Sequence, residues 1–133
     1  MGGLEGMTEV ELSVKAASAV KEAMEDLKKM LEGRKADLPR DLLRAAYTKL
    51  EYSALLLKLH IDDDSAGTYD DRLEEEKPIS LVSMARDHAE EALARLREDP
   101  RSALEEVRRS RDCLRAALHL VGLEARRRLR SRR

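Results

Sequence analysis

The chain has 133 residues, a net charge of −1 and charged side chains at 40% of positions, with three Tyr and no Phe or Trp. That length fits one domain able to bury about two-thirds of the surface its unfolded form exposes, so a core without covalent staples is expected. A lone cysteine, Cys113, excludes an internal disulfide, and no run approaches the ~18 apolar residues of a membrane span.

Ala, Leu, Glu, Lys and Arg, the strong helix formers, dominate the composition. With so few aromatics, the core must be built from Leu, Val, Ala, Met and Ile. Asn and Gln are absent, and loss of amides beside dense charge of both signs is a thermophile signature. The opening Met1 to Met7 has no apolar stretch of signal-peptide type, and Gly6 stands where a myristoylation signal needs Ser or Thr. A cytoplasmic protein without membrane association is expected.

Thr8-Glu9-Val10-Glu11 is a capping box that opens a first helix. Its apolar positions 10, 14, 17, 20, 24, 27 and 31 form a seam that ends near Glu32, and Gly33 is the stop. Pro39 suits the first turn of a second helix, over about 39–61, because its missing N–H goes unbonded there. This helix carries two adjacent seams. One is Leu43, Ala46, Leu50, Ala54, Leu57 and Ile61; the other is Leu42, Ala45, Tyr52, Leu56 and Leu59. A bundle helix normally offers one stripe, so the second predicts a homodimer interface.

Residues 62–77 hold eight carboxylates against one Arg and one Lys, which predicts a mobile acidic link. A third helix is expected over about 79–98. Asp99-Pro100 then caps a fourth that reaches about Arg130, roughly 45 Å long against about 30–36 Å for the others. Its last two or three turns should protrude. The two hairpins also match. Ala17, Val20, Met24, Leu27 and Leu31 shifted by 65 fall on Val82, Ala85, Ala89, Ala92 and Leu96, and Pro39-Arg40 shifted by 61 falls on Pro100-Arg101.

The sharpest local signal is the end of the chain. Residues 101–133 carry eleven Arg against four acids, a net of +7, so residues 1–100 carry −8. Arg126, Arg127, Arg128, Arg130, Arg132 and Arg133 are candidate phosphate contacts for nucleic acid or another acidic partner. The competing readings are stabilisation of the helix C-terminus and neutralisation of the acidic link. No aromatics interleave these arginines, so base stacking on the segment is excluded.

The histidines do not have metal-site spacing. His60 ends the second helix, where a cap is expected; His88 lies beside the third seam; His119 lies off the fourth. Carboxylate-bridged di-metal bundles need Glu-x-x-His on two helices, whereas His88 to Glu91 runs in the opposite order, once. The acidic link lacks the ligand pattern of a calcium loop. No metal and no cofactor are expected. Cys113 has Arg109, Arg111 and Arg115 as neighbours, yet its place beside Leu114 predicts a buried core thiol. Arg111 interrupts the core pattern. Either the fourth helix turns Ala103, Val107, Ser110, Leu114, Ala117 and Val121 inward, the preferred reading, or Arg111 is buried against Glu51 or Asp112.

Residues 84–124, MARDHAEEALARLREDPRSALEEVRRSRDCLRAALHLVGLE, resemble a small archaeal helical-hairpin family of unknown function. The likeness lies in the Ala-rich first helix, the tight acidic turn, Ala103-Leu104-Glu105 and the Leu-x-x-x-Gly of 118–122; it implies a helical hairpin and no activity. The segment RAAYTKLEYSALLLKLH looks like the second helix of HEPN domains, four-helix modules of many prokaryotic toxin ribonucleases. That resemblance implies an Arg, four to six residues and a His at a dimer cleft, whereas Arg115 and His119 are separated by three and Arg111 and His119 by seven.

The expected fold is all-α, an antiparallel up-down-up-down four-helix bundle in one domain, 1–133. Hairpin one spans 8–61, the acidic connector 62–77 and hairpin two 78–130, with an Arg-rich tail at 126–133. The expected function is a non-enzymatic interaction protein, homodimeric through Leu42, Ala45, Tyr52, Leu56 and Leu59. A nucleic-acid-associated protein is the alternative, and a HEPN-type ribonuclease or an inactive relative is the third reading.

Overall fold

A computed structural model describes residues 6–33 and 38–131. Four α-helices account for most of them: α1 (Glu9–Glu32), α2 (Arg40–His60), α3 (Pro78–Arg95) and α4 (Pro100–Ser131), with a short 3₁₀ turn, Asp71–Glu75, before α3. No strand occurs among the described residues.

The helix ends follow their local chemistry. Thr8 Oγ1 accepts the Glu11 N–H at 3.1 Å, and the Asp99 carboxylate accepts the Ser102 N–H at 3.1 Å. Pro39 is the N-cap of α2, one position earlier than expected, and Gly33 closes α1 with its N–H on the Lys29 carbonyl. The end of α2 is a Schellman turn. Asp62 sits at φ 54°, and the Asp62 and Asp63 N–H groups bond the Leu59 and Lys58 carbonyls. Backbone amides therefore cap α2, in place of the expected His60.

Each helix packs on two principal neighbours, in the cyclic order α1, α2, α4, α3. The first hairpin is antiparallel, with Ser53 against Ala16 and Lys49 against Asp26. The second pairs Ala85 with Ser110 and His88 with Glu106. Between hairpins, Glu51 meets Arg111 and Asp63 meets Arg101, so α2 and α4 are antiparallel too.

All neighbours are thus antiparallel, but α2 and α3 run the same way. The chain goes up, down, down, up where strict alternation was expected. Its connector makes the difference. Asp63 lies on Arg101, Ser65 on Arg108, Tyr69 on Arg115 and Glu74 on His119. The segment runs alongside α4 for some 18 helical residues, roughly 27 Å, and returns the chain to the opposite end before α3 begins. This is a bundle with one long crossover. Tyr69 and Leu73 pack against the core, so the connector is a strap rather than a free link.

The core is aliphatic and rich in alanine. Leu27, Leu43, Leu50, Leu57, Leu81, Leu104 and Leu114 are fully buried among Ala16, Ala23, Ala46, Ala85, Ala89 and Ala117. In α4 the preferred rotation is present: Ala103, Val107, Ser110, Leu114 and Ala117 are buried and Val121 is half-buried. In α1 the buried face is Leu12, Ala16, Ala19, Val20, Ala23, Leu27 and Met30, about one residue out of register with the expected seam. Val10 and Val14 are consequently exposed. The small side chains of α1 allow α2 to approach so closely that Ser53 Oγ reaches the Ala16 carbonyl at 3.0 Å. Ser110 does the same to Ala85 at 2.6 Å.

Both serines are wholly buried, so each hydroxyl must keep its partner. Ser53→Val and Ser110→Val should each destabilise by about 1–3 kcal/mol, through the lost hydrogen bond and overpacking. Urea unfolding checks this; unchanged midpoints in both variants would contradict the close packing.

Candidate functional site

Three charged groups lie inside the bundle, and each is paired. Glu106, 4% exposed, accepts from His88 Nδ1 at 2.7 Å and from Arg109 at 2.7 Å, with Arg95 at 3.5 Å. Burial alone would raise its proton affinity. The hydrogen bond and charge of His88, then Arg109, outweigh this and hold the carboxyl below its ordinary value. The carboxylate in turn requires the imidazole proton on Nδ1. Asp26 is buried with Lys49 Nζ at 2.6 Å. Asp112 is raised by burial, against the lowering effect of Arg111.

Arg111 is where both sequence readings meet. Although α4 turns its small face inward, the guanidinium is still mostly covered and bridges Glu51 at 3.2 Å and Asp112 at 3.1 Å. Cys113 is a core residue, as expected, with its thiol pushed up to about 12 by burial and then by Asp112. A thiol in that state is protonated and shielded, and its Arg neighbours in sequence do not activate it.

Of the residues considered for the HEPN resemblance, Arg115 and His119 are occupied by the strap and Arg111 by Glu51 and Asp112. Arg115 stacks 4.0 Å from the Tyr69 ring centroid, and His119 Nε2 lies 3.1 Å from Glu74. The Tyr69 hydroxyl donates to Glu74 at 3.0 Å and is pushed up to about 12, by burial first and then by that carboxylate. Arg108 donates to the Ser65 carbonyl. Gly67, at φ 74°, passes so close that a Cβ would stand 3.1 Å from Arg108 Cδ. His60 Nδ1 is buried without a hydrogen-bond partner. The three histidines are far from convergent, and among the described residues no cluster of His, Cys, Asp and Glu could hold a metal ion. No helix among them is long and apolar enough to cross a membrane.

The acidic connector meets the body of α4 rather than the tail: Asp63 pairs with Arg101 and Glu74 lies on His119, while Arg108 and Arg115 hold the Ser65 carbonyl and the Tyr69 ring. Beyond Ala117 no residue of α4 is buried, and all of 126–131 are exposed, so the expected protrusion is present. On this arm Glu124 pairs with Arg127 at 3.4 Å and Arg128 at 3.5 Å. Arg126 and Arg130 project from it as well, while Arg132 and Arg133 lie outside the described residues.

The surplus stripe of α2 is only partly on the surface. Tyr52 and Leu59 are exposed, Leu42 and Ala45 are half-buried, and Leu56 is fully buried. Leu56 is corrected to a core residue, and Leu55, outside the expected stripe, is exposed instead. Together with Val10 and Val14, these side chains place five of the eight exposed large apolar residues on one end of the α1–α2 pair. The helical register of Ala16 against Ser53 aligns Val14 and Val10 with the levels of Leu55 and Leu59. A shallow groove of about 380 Å³ runs on from this patch, walled by Lys15, Ser18, Glu22, Thr48, Lys49 and Tyr52.

Glu106 and Asp26 are not among the residues singled out from the sequence. A signal existed: each stands three residues after a buried alanine, Ala103 and Ala23, on the inward arc of its helix. The connector's path had no equivalent signal.

Two expectations follow from these proton affinities. Native Cys113 should not react measurably with a thiol reagent at pH 8 but should react freely in denaturing urea; fast native labelling would contradict its burial. Glu106→Gln should cost about 2 kcal/mol at pH 7. A carboxyl lowered in the folded state contributes fully above its ordinary 4.5 and loses that contribution as pH falls through the folded value. The gap between wild type and variant should therefore shrink from pH 7 to pH 3 in urea titrations; a constant gap would contradict it.

Comparison with protein-family models, with curated proteins and with solved structures finds no match to this chain.

Proposed function

We propose that this chain is a non-enzymatic interaction protein that pairs with a second copy of itself through the outer face of α1 and α2. The observation that carries this reading is the exposure of Tyr52, Leu55 and Leu59, 41–48%, along one side of α2, with Val14 exposed on α1 at the level of Leu55. Scattered surface apolar residues need no explanation, but a grouped patch favours a partner.

A second copy suits the patch better than a strongly charged partner. Its borders carry both signs, Glu11, Glu22 and Glu51 beside Lys15 and Lys58, so a two-fold axis can set acid against base. The half-exposed stripe of α2 adds Ala45, small enough for close helix approach. The groups able to do chemistry support a non-enzymatic reading, because His88, His119 and Cys113 are each held by a structural partner or the core.

Sedimentation velocity between 5 and 100 μM tests the proposal. A dimer is expected within that range, and Leu55→Glu with Leu59→Glu should give a monomer with unchanged helical circular dichroism. A wild-type monomer at 100 μM would overturn it.

A further inference from the structure

The projecting end of α4, residues 123–131, lies at the far end of the bundle from the α1–α2 patch. The patch is at the α2 C-terminus, where Asp63 meets Arg101 at the start of α4; the arm is at the other end of that helix. We propose that this arm binds nucleic acid through the phosphate backbone, without regard to base sequence.

The first support is how α4 uses its cations. Arg101, Arg108, Arg109, Arg111 and Arg115 each contact an acid, a carbonyl or an aromatic ring within the protein. Arg126 and Arg130, by contrast, make no ion pair among the described residues. They stand one turn apart on the same side of the arm. Arg127 and Arg128, whose Glu124 contacts are exposed, add charge about 100° and 200° further round. Residues 123–131 therefore carry four Arg against one Glu, a net of +3.

Helix-dipole stabilisation accounts at most for Arg128 and Arg130, which stand in the last turn of α4. That effect fades beyond the last turn, whereas Arg126 lies five residues before Ser131. Nor does the arm suit a membrane surface. Arginines occupy a little over half of its circumference, and Leu129 is the one large apolar side chain on the remaining arc, since Leu123 lies among the arginines, so no broad apolar face is offered for insertion. A polyanion that can be approached from several sides fits this distribution, and guanidinium forks match phosphate oxygens. The net −8 of residues 1–100 repels such a polymer, which confines contact to the arm. Without aromatics on the arm, the contact is electrostatic rather than stacked, and strongly dependent on salt.

The test uses the full chain and fluorescence anisotropy with labelled 20-base-pair duplexes, one DNA and one RNA of the same sequence. Between 50 and 200 mM salt, four phosphate contacts predict about a hundredfold loss of affinity. Arg126→Gln with Arg130→Gln should weaken binding about tenfold or more at 50 mM and lower the salt slope by about 2. Arg126→Lys with Arg130→Lys should retain most of the affinity. No binding at 100 μM protein and 50 mM salt, or full affinity in the Gln variant, would overturn the proposal. Tighter binding to phosphatidylserine vesicles than to either duplex, at equal phosphate, would overturn it as well. The Leu55→Glu, Leu59→Glu variant should still bind, so failure of the dimer reading is distinguishable from failure of this one.

Discussion

The structure depends on close approach of helices whose contact faces are lined with alanine. In the absence of Phe and Trp, density has to come from bringing backbones together rather than from filling space with rings. Ala16, Ala19 and Ala23 on α1 and Ala85, Ala89 and Ala92 on α3 provide those faces. The two buried serines measure the result, since each hydroxyl spans to a carbonyl of the facing helix. Close packing also orders the surface: with alanines turned inward on α1, the larger Val10 and Val14 point to solvent.

A second constraint is the strap. Many of its contacts are exposed and individually weak, but they are spaced along α4 and include apolar anchors at Tyr69 and Leu73. Their combined effect is to carry an acidic segment the length of a basic helix. This allows α2 and α3 to run parallel while every neighbouring pair stays antiparallel. It also occupies Arg115 and His119, whose separation of three residues is shorter than the four to six of the HEPN pattern.

Polarity along the bundle separates two surfaces. At one end the α1–α2 pair exposes aliphatic side chains bordered by charges of both signs; at the other, α4 continues alone with arginine on several sides. A partner bound at either end leaves the other accessible. The buried carboxylates Asp26 and Glu106 sit between these ends, each neutralised within its own hairpin.

By itself the sequence determined the helices, their ends and the charge of the tail, because periodicity, capping residues and composition act over one or two turns. Thr8, Gly33 and Asp99 were legible for that reason, as was the inward turn of Ala103, Val107 and Ser110. Tertiary packing decided the rest. Which arc of α1 faced inward was a contest between larger residues and smaller ones that permit a closer neighbour, and nothing local settles that contest. Leu56 went to the core and Leu55 to the surface because α2 packs between α1 and α4, which fixes its rotation. The direction of α3 depended on the strap's contacts with α4, made between residues some forty positions apart in the chain.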